Sequence, residues 1–200
     1  MLNFIVLKCS GIIHKVMTIQ TNWCVITGAP SSGKTTVINA LSMRGLLTAP
    51  EVAREYLSQL LKNDPNAFNN HRGEQIVQDK ILDLKLEREH KLPADELIFF
   101  DRGVPDSLAY YRYYQLNTDS MLKKINVFKY AYVFYLEGLP VVNDDVRQED
   151  EAQAKLIGQH IFQAYEDLGY DIIRIPAYPV EDRINQILSA ISTDSLPLGK

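Results

Sequence analysis

The stretch VITGAPSSGKTT, residues 25–36, decides the fold that the rest of the sequence predicts. An apolar run over 23–26 leads into it, and a helical pattern follows it, so the order is strand, loop, helix. Gly28 and Gly33 bracket four residues, and a lysine and a threonine come directly after the second glycine. This order and spacing are typical of a loop that binds the phosphates of a nucleotide.

Backbone N–H groups of such a loop, with the positive end of the next helix, surround phosphate oxygens that side chains would crowd. Lys34 can reach the outer phosphates, and the Thr35 hydroxyl can bind the Mg²⁺ that bridges them. A plain Gly/Ser turn is the alternative, but the four matched positions arise by chance on the order of once per hundred chains of this length. We therefore predict nucleotide binding by Gly28, Ala29, Pro30, Ser31, Ser32, Gly33, Lys34, Thr35 and Thr36.

Composition limits the other functions. A chain of 200 residues, 46% of them hydrophobic, suits one domain with a sizeable core. The formal charge of -4 offers no general reason to bind nucleic acid or a membrane surface, so we expect neither as a partner. Two cysteines, Cys9 and Cys24, are too few for a disulfide framework, which favours a reducing, cytoplasmic location. The four histidines show no metal-ligand spacing.

The first twenty residues are apolar, but Lys8, His14 and Lys15 interrupt them. We expect neither a membrane span nor a secretory signal there. Two possibilities remain open: an extra edge strand, or an extension ahead of a functional start at Met17.

Downstream, apolar runs alternate with longer helical patterns, which predicts an α/β fold: a mainly parallel, five-stranded sheet with helices on both faces. Strands are expected near Cys24–Thr27, Leu46–Thr48, Leu97–Phe100, Tyr132–Leu136 and Asp171–Ile175, helices near Thr35–Met43, Val52–Leu61 and Gln75–His90, and a loop over 62–73. A helix-like run after Asp106 contains four tyrosines; packing in or beside the core is the expected role, and contact with a substrate is the alternative.

Polar residues follow several of these strands, and ligands of open parallel sheets bind at that edge. Asp101 follows LIFF and should lie at the same edge as Thr35. A carboxylate there can hold Mg²⁺ or accept a proton from an attacking hydroxyl. The alternative is a structural role for Asp101, as a turn residue or a helix N-cap. Glu51 follows LLTAP and is a second candidate at this edge. The alternative is that its negative charge stabilises the first turn of the next helix.

Three arginines, Arg54, Arg102 and Arg147, are either solvated surface charges or phosphate ligands, because a guanidinium fork matches phosphate oxygens. Arg147 lies in NDDVRQEDE, where a mobile segment could bring it over the phosphates after binding.

Several stretches together resemble the P-loop kinase-like families grouped under an AAA-type ATP-binding domain, which include the ribosylnicotinamide-kinase-like domain of a bacterial NAD regulator. The sequence is more distantly similar to deoxynucleoside and thymidylate kinases. The resemblance rests on TGAPSSGKTT (27–36), PEVAREYL (50–57), DRGVPDSLAYY (101–111), VFYLEGLP (133–140), DDVRQE (144–149), AYEDLGYDIIRIP (164–176) and PVEDRINQI (179–187).

The resemblance implies a three-layer αβα P-loop fold and a lid containing Arg147. It also implies a catalytic or Mg²⁺-associated Asp101 and acceptor-side roles for Glu51, Arg54 and Arg102. The lid is short compared with adenylate kinases, and no sensor or arginine-finger residues of ring-forming AAA machines follow Asp101. The predicted boundaries are an extension or edge strand at 1–20, a P-loop kinase-like domain at 21–194 and a tail at 195–200.

Two functions follow as hypotheses. The first is a Mg²⁺-dependent kinase that transfers the γ-phosphate of ATP to a nucleoside, nucleotide or ribosyl-nicotinamide-like acceptor, with Lys34, Asp101, Arg147 and Glu51 as catalytic residues. The second is a nucleotide-binding regulatory or switch protein with slow ATPase or GTPase activity. The chain has no NKxD base-reading motif of the kind that guanine-specific GTPases carry, which favours ATP. The acceptor, the choice of base between Glu51 and Asp101, and the oligomeric state stay open.

Overall fold

The computed structural model describes residues 2–9, 12–64, 71–125, 127–138 and 151–193. In chain order the strands and helices are β1 (Leu2–Cys9), β2 (Ile12–Gln20), β3 (Cys24–Gly28), α1 (Lys34–Met43), β4 (Leu47–Ala49), α2 (Val52–Asn63), α3 (His71–Lys91), β5 (Ile98–Asp101), α4 (Pro105–Tyr113), α5 (Asp119–Lys124), β6 (Phe128–Lys129), β7 (Tyr132–Leu136), α6 (Glu151–Asp167), β8 (Ile172–Ile175) and α7 (Val180–Thr193).

A five-stranded sheet in the order β4-β5-β3-β7-β8 forms the centre of the molecule, and every neighbouring pair in it is parallel. Strand β3, which leads into the phosphate loop, lies in the middle. Its first residue, Cys24, pairs with Phe99 on one side and with Tyr132 on the other. Strands buried on both faces are expected to be continuously apolar, as CVI and IFF are. The predicted sheet is confirmed.

Successive residues of β3 point to opposite faces of the sheet, and helices cover both faces. Cys24 and Ile26 belong to the core on the face of α1 and α7. Trp23 and Val25 belong to the core on the other face, with α4 and α6. The predicted three-layer αβα arrangement is therefore confirmed.

The N-terminal segment forms two strands of a second sheet, not an edge strand of the five-stranded one. Strands β1 and β2 pair antiparallel, and β2 pairs in parallel with β6 through Ile19 with Phe128 and Gln20 with Lys129. The Thr21 hydroxyl donates to the Lys129 carbonyl at 3.0 Å beside this contact. The domain boundaries after residue 20 and after residue 194 stay a prediction.

The predicted loop over 62–73 is partly wrong. Helix α2 continues to Asn63, and α3 begins at His71, four residues before the predicted start; 65–70 lie outside the described residues. Helix propensity is a weak signal that tertiary contacts override, and at this end His71 Nε2 lies 3.2 Å from the Gln115 carbonyl oxygen. Among the helices described, none combines the length and the apolar character needed to cross a membrane.

Candidate active site

The phosphate loop joins β3 to α1 and requires its glycines. Gly28 and Gly33 have φ angles of 138° and 87°, in the region that side chains rarely adopt. A Cβ added at Gly28 would lie 2.4 Å from the Leu136 carbonyl oxygen, so the neighbouring strand also excludes a side chain there. The loop therefore has the open backbone that phosphate binding needs.

Lys34 is 6% exposed and folds back over this loop. Its Nζ donates to the Ala29 carbonyl at 2.6 Å and contacts Ser32 Oγ at 3.2 Å. Burial, and next the charge of Arg102, lower the pKa of Lys34 to about 7. Phosphate oxygens at the loop would provide the negative charge that this buried ammonium lacks.

Asp101, at the end of β5, lies beside Thr35 at the start of α1. The Thr35 hydroxyl donates to Asp101 Oδ2 at 2.9 Å. Asp101 reaches this position because it pairs with Ile26 in the parallel ladder of β3 and β5. Burial, and next the charge of Glu51, raise the pKa of Asp101. Its other oxygen, Oδ1, is buried and makes no hydrogen bond to any residue that the structure describes.

Arg102 and Glu51 form an ion pair at the same edge of the sheet. Arg102 Nε lies 2.9 Å from Glu51 Oε1, and Arg102 Nη1 donates to Asp106 Oδ1 at 2.9 Å. Both acids thus hold the guanidinium, which is 5% exposed. Glu51 precedes α2, and Asp106 lies in the first turn of α4.

Asp106 is fully buried and organises the surrounding backbone. Besides Arg102, it accepts hydrogen bonds from the Thr27 hydroxyl at 2.8 Å, the Gly103 amide at 3.0 Å and the Tyr165 hydroxyl at 2.7 Å. Burial alone would raise its pKa, but the charges of Arg102 and Lys85 and these hydroxyl donors hold it below its ordinary value. The lowered pKa favours the carboxylate form of Asp106, which holds Arg102.

A cavity of about 390 Å³ adjoins the Arg102–Glu51 pair. Helix α3 contributes one wall, and the start of α2 and one side of α4 contribute the others. Two acids and two bases line it, so the charged groups in its wall balance in number. Its lining residues are Glu51, Ala53, Leu57, Glu74, Gln78, Ile81, Lys85, Arg102, Ser107, Tyr110 and Tyr114.

The two other predicted arginines are not brought into this arrangement. The Arg54 side chain is 73% exposed, and its Nε lies 4.0 Å from Glu51 Oε2, outside the cavity lining. Arg147 lies outside the described residues. The acceptor-side role of Arg54 and the lid role of Arg147 stay predictions.

Sequence reasoning missed several residues of the site. The sequence assigned no site role to Asp106, although it lies in the stretch DRGVPDSLAYY. Helix α3 carries four buried polar residues at intervals of four and seven: Glu74, Gln78, Lys85 and Glu89. These intervals place the four side chains on one helix face, and this periodicity is the signal in the sequence that could have revealed them. The tyrosine-rich run packs in or beside the core, as expected, with Tyr111 buried. Tyr110 and Tyr114 also line the cavity, and their contact with a substrate stays a prediction.

Arg183 on α7 was also missed. It is 2% exposed, and it donates from Nη1 to the Ser32 carbonyl at 2.7 Å and from Nη2 to the Glu137 carbonyl at 3.1 Å. A buried arginine on α7 therefore holds the phosphate loop through the Ser32 carbonyl. A lone arginine 151 positions after its partner gives no signal in the sequence.

Comparison with known proteins supports the resemblance noted from the sequence. A family model described as an AAA domain matches residues 23–183. No curated protein matches the sequence. Deoxyadenosine kinase from M. mycoides, with the products dCMP and dCDP bound, has a TM-score of 0.64 and 15% identity, and the match covers 86% of this chain and 100% of that one.

The NadR protein in complex with NAD and AMP-PNP has a TM-score of 0.63 and 16% identity, and the match covers 90% of this chain but 52% of NadR. The chain thus spans about half the length of NadR. At such identities the likeness shows the fold alone. The matched family model covers most of the chain, and the protein accordingly belongs to the AAA domain family, with a P-loop kinase-like fold.

Proposed function

We propose that the protein is a Mg²⁺-dependent phosphotransferase that moves the γ-phosphate of ATP to a small acceptor. One observation carries the proposal: Asp101, bonded to the phosphate loop through Thr35, is followed directly by Arg102, which lines the 390 Å³ cavity. A site for a nucleotide and a space for a second small molecule therefore meet at adjacent residues. A regulatory switch that only binds and slowly hydrolyses a nucleotide needs the first site and not the second.

On the nucleotide side, the loop amides of 28–36 and Lys34 would bind the β- and γ-phosphates. Thr35 and Asp101 fit a Mg²⁺ ion, because a hydroxyl and a carboxylate lie together and Asp101 Oδ1 is buried with no hydrogen bond to the described residues. When bound, Mg²⁺ would neutralise phosphate charge.

On the acceptor side, we assign Glu51 as the base. Glu51 lines the cavity, whereas Asp101 does not. Asp101 already accepts a hydrogen bond from the Thr35 hydroxyl. Glu51 would accept the proton of the acceptor hydroxyl, and Arg102 would orient that hydroxyl. Arg54, whose exposed side chain lies 4.0 Å from Glu51, would contribute a longer-range charge. Arg147 would close over the phosphates and stabilise the charge that develops during transfer.

The acceptor that we propose is a nucleoside, nucleotide or ribosyl-nicotinamide-like molecule. The volume and the two tyrosines of the cavity suit one ring system with a sugar. Structures of the structurally similar deoxyadenosine kinase contain dCMP with dCDP, dCTP or dATP, and those of NadR contain NAD with AMP-PNP, or NR. We place the protein in the cytoplasm, with neither nucleic acid nor a membrane as its partner.

A coupled assay of ADP release tests the proposal directly. Purified protein with Mg²⁺ and ATP is mixed in turn with nucleosides, nucleoside monophosphates and nicotinamide riboside, and phosphorylated product is identified by mass spectrometry. We expect at least one acceptor to raise ADP release at least about tenfold over the rate without acceptor. A slow rate that no acceptor stimulates would favour the nucleotide-binding switch instead.

A further inference from the structure

Residues 102–104, which follow the Mg²⁺-site candidate Asp101, are held through their main chain. Arg102 has a φ angle of 63°, which a residue with a side chain adopts only where its surroundings stabilise it. Side chains from three directions bind the backbone here. Arg88 Nη2 donates to the Arg102 carbonyl at 2.8 Å, Lys85 Nζ to the Gly103 carbonyl at 3.0 Å, the Gly103 amide to Asp106 Oδ2 at 3.0 Å and the Val104 amide to Tyr130 Oη at 2.9 Å.

The segment also has no spare room. A Cβ added at Gly103 would lie 2.7 Å from Tyr165 Oη and 2.9 Å from Tyr130 Oη. Tyr130 and Tyr165, which are both buried, therefore resist small shifts of this backbone. Lys85 and Arg88 of α3 hold the same segment through the carbonyls of Gly103 and Arg102.

Lys85 belongs to both the backbone contacts and the cavity. It is 2% exposed and lines the cavity, whereas Arg88, one turn later on α3, does not line it. An ammonium has three donors, and the Gly103 carbonyl uses one of them. Lys85 can therefore bind Gly103 and a ligand in the cavity at the same time.

We propose that Lys85 is a positioning residue that links acceptor binding to the placement of Arg102 and Gly103; this inference rests on the proposed function. It donates to the Gly103 carbonyl and, when the cavity is filled, to an oxygen of the acceptor. Loss of the ammonium should loosen 102–104, lower kcat and raise the KM for the acceptor. Nucleotide affinity should be unchanged, because Lys85 makes no hydrogen bond to the phosphate loop.

The test uses Lys85→Met, Lys85→Arg and a matched control, Lys91→Met, which removes an exposed lysine of the same helix that is paired with Glu87. Hydrogen exchange of the peptide covering 101–104 is measured in the free protein. We expect about tenfold faster exchange in Lys85→Met, the effect of losing one buried hydrogen bond, and a smaller change in Lys85→Arg. We expect none in Lys91→Met, and affinity for Mg²⁺ and AMP-PNP within about twofold of wild type in all three.

Steady-state kinetics with adenosine, deoxyadenosine, deoxycytidine and nicotinamide riboside separate positioning from stability. A purely structural role would lower Tm and kcat with an unchanged acceptor KM, whereas the proposed role changes both constants and Lys85→Arg restores part of each. Unchanged exchange in a Lys85→Met protein with native Tm would overturn the positioning role. If wild type phosphorylates none of these four and no nucleoside monophosphate, the proposed function loses its support, and the exchange comparison still decides whether Lys85 positions the segment.

Discussion

The Thr35 hydroxyl donates a 2.9 Å hydrogen bond to Asp101, across 66 positions of sequence. Thr35 lies in the first turn of α1 and Asp101 ends β5, so the bond joins the helix after the phosphate loop to the strand beside β3. Glu51 instead pairs with Arg102 and lines the cavity. The two carboxylates therefore face different partners.

That difference predicts distinct effects for two isosteric changes. Asp101→Asn should raise the Mg²⁺ concentration needed for half-maximal rate at least about tenfold, because an amide binds Mg²⁺ more weakly than a carboxylate. Glu51→Gln should lower kcat by about 10²-fold or more with unchanged ATP affinity, because it removes the proposed base. Magnesium titrations of turnover, with calorimetry of a nonhydrolysable ATP analogue, measure both. Exchanged phenotypes would show that the roles are reversed.

Lys34→Ala should abolish measurable binding of Mg²⁺ and ATP while the fold is retained. Lys34 donates only to Ala29 and Ser32 of its own loop among the hydrogen bonds that the structure describes, so its loss leaves the two main cores intact. Calorimetric titration and thermal unfolding of the variant provide the measurements, with Lys91→Ala as the surface control. Wild-type affinity in Lys34→Ala would contradict the assignment of the phosphate loop.

Arg147→Ala should lower kcat by about 10³-fold and change ATP affinity little, because a positioned arginine stabilises charge that is greatest during transfer. Arg147→Lys should recover part of the rate, since an ammonium lacks the planar two-point contact of a guanidinium. Steady-state kinetics on an acceptor found by the ADP-release assay measure both. Arg112, whose Nη1 lies 2.7 Å from Asp167 Oδ2 on the surface, is the control for loss of an arginine charge. A kcat equal to wild type in both Arg147 variants would make Arg147 an ordinary surface residue.

Glu89 predicts a pH-dependent stability. It is 3% exposed and accepts a hydrogen bond from the Tyr130 hydroxyl, and burial raises its pKa from 4.5 to about 7. Between these values the folded state holds a proton that the unfolded state releases, so the contribution of Glu89 to stability is lost as pH rises through about 7. Glu89→Gln removes this titration. It should therefore match wild type near pH 4 and be more stable near pH 8, by about 1 to 3 kcal/mol.

Urea unfolding at the two pH values measures that difference, and Glu87→Gln, an exposed acid on the same helix, is the control. The same stability change at both pH values would show that Glu89 does not titrate in this range.

The sequence by itself determined the phosphate loop and the main elements around it. The spacing of Gly28, Gly33, Lys34 and Thr35 is local, and a loop of that length between a strand and a helix has few conformations. The central strands are also visible because they are buried on both faces and hence continuously apolar. Strand β7 has the predicted bounds, Tyr132–Leu136, and β3 extends one residue beyond its prediction.

The sequence placed Asp101, Arg102 and Glu51 at one edge of the sheet, but only the tertiary structure decided what each side chain contacts. Asp101 meets Thr35 because β3 and β5 are neighbours, and strand order is not encoded in any local pattern. The roles of Asp106 and Lys85 were invisible for a related reason. A helical period reveals that residues share a face. It does not reveal whether a polar side chain on that face contacts a cavity, a buried carbonyl or water. Only the packing around 102–104 shows that Lys85 and Asp106 bind the backbone of Gly103.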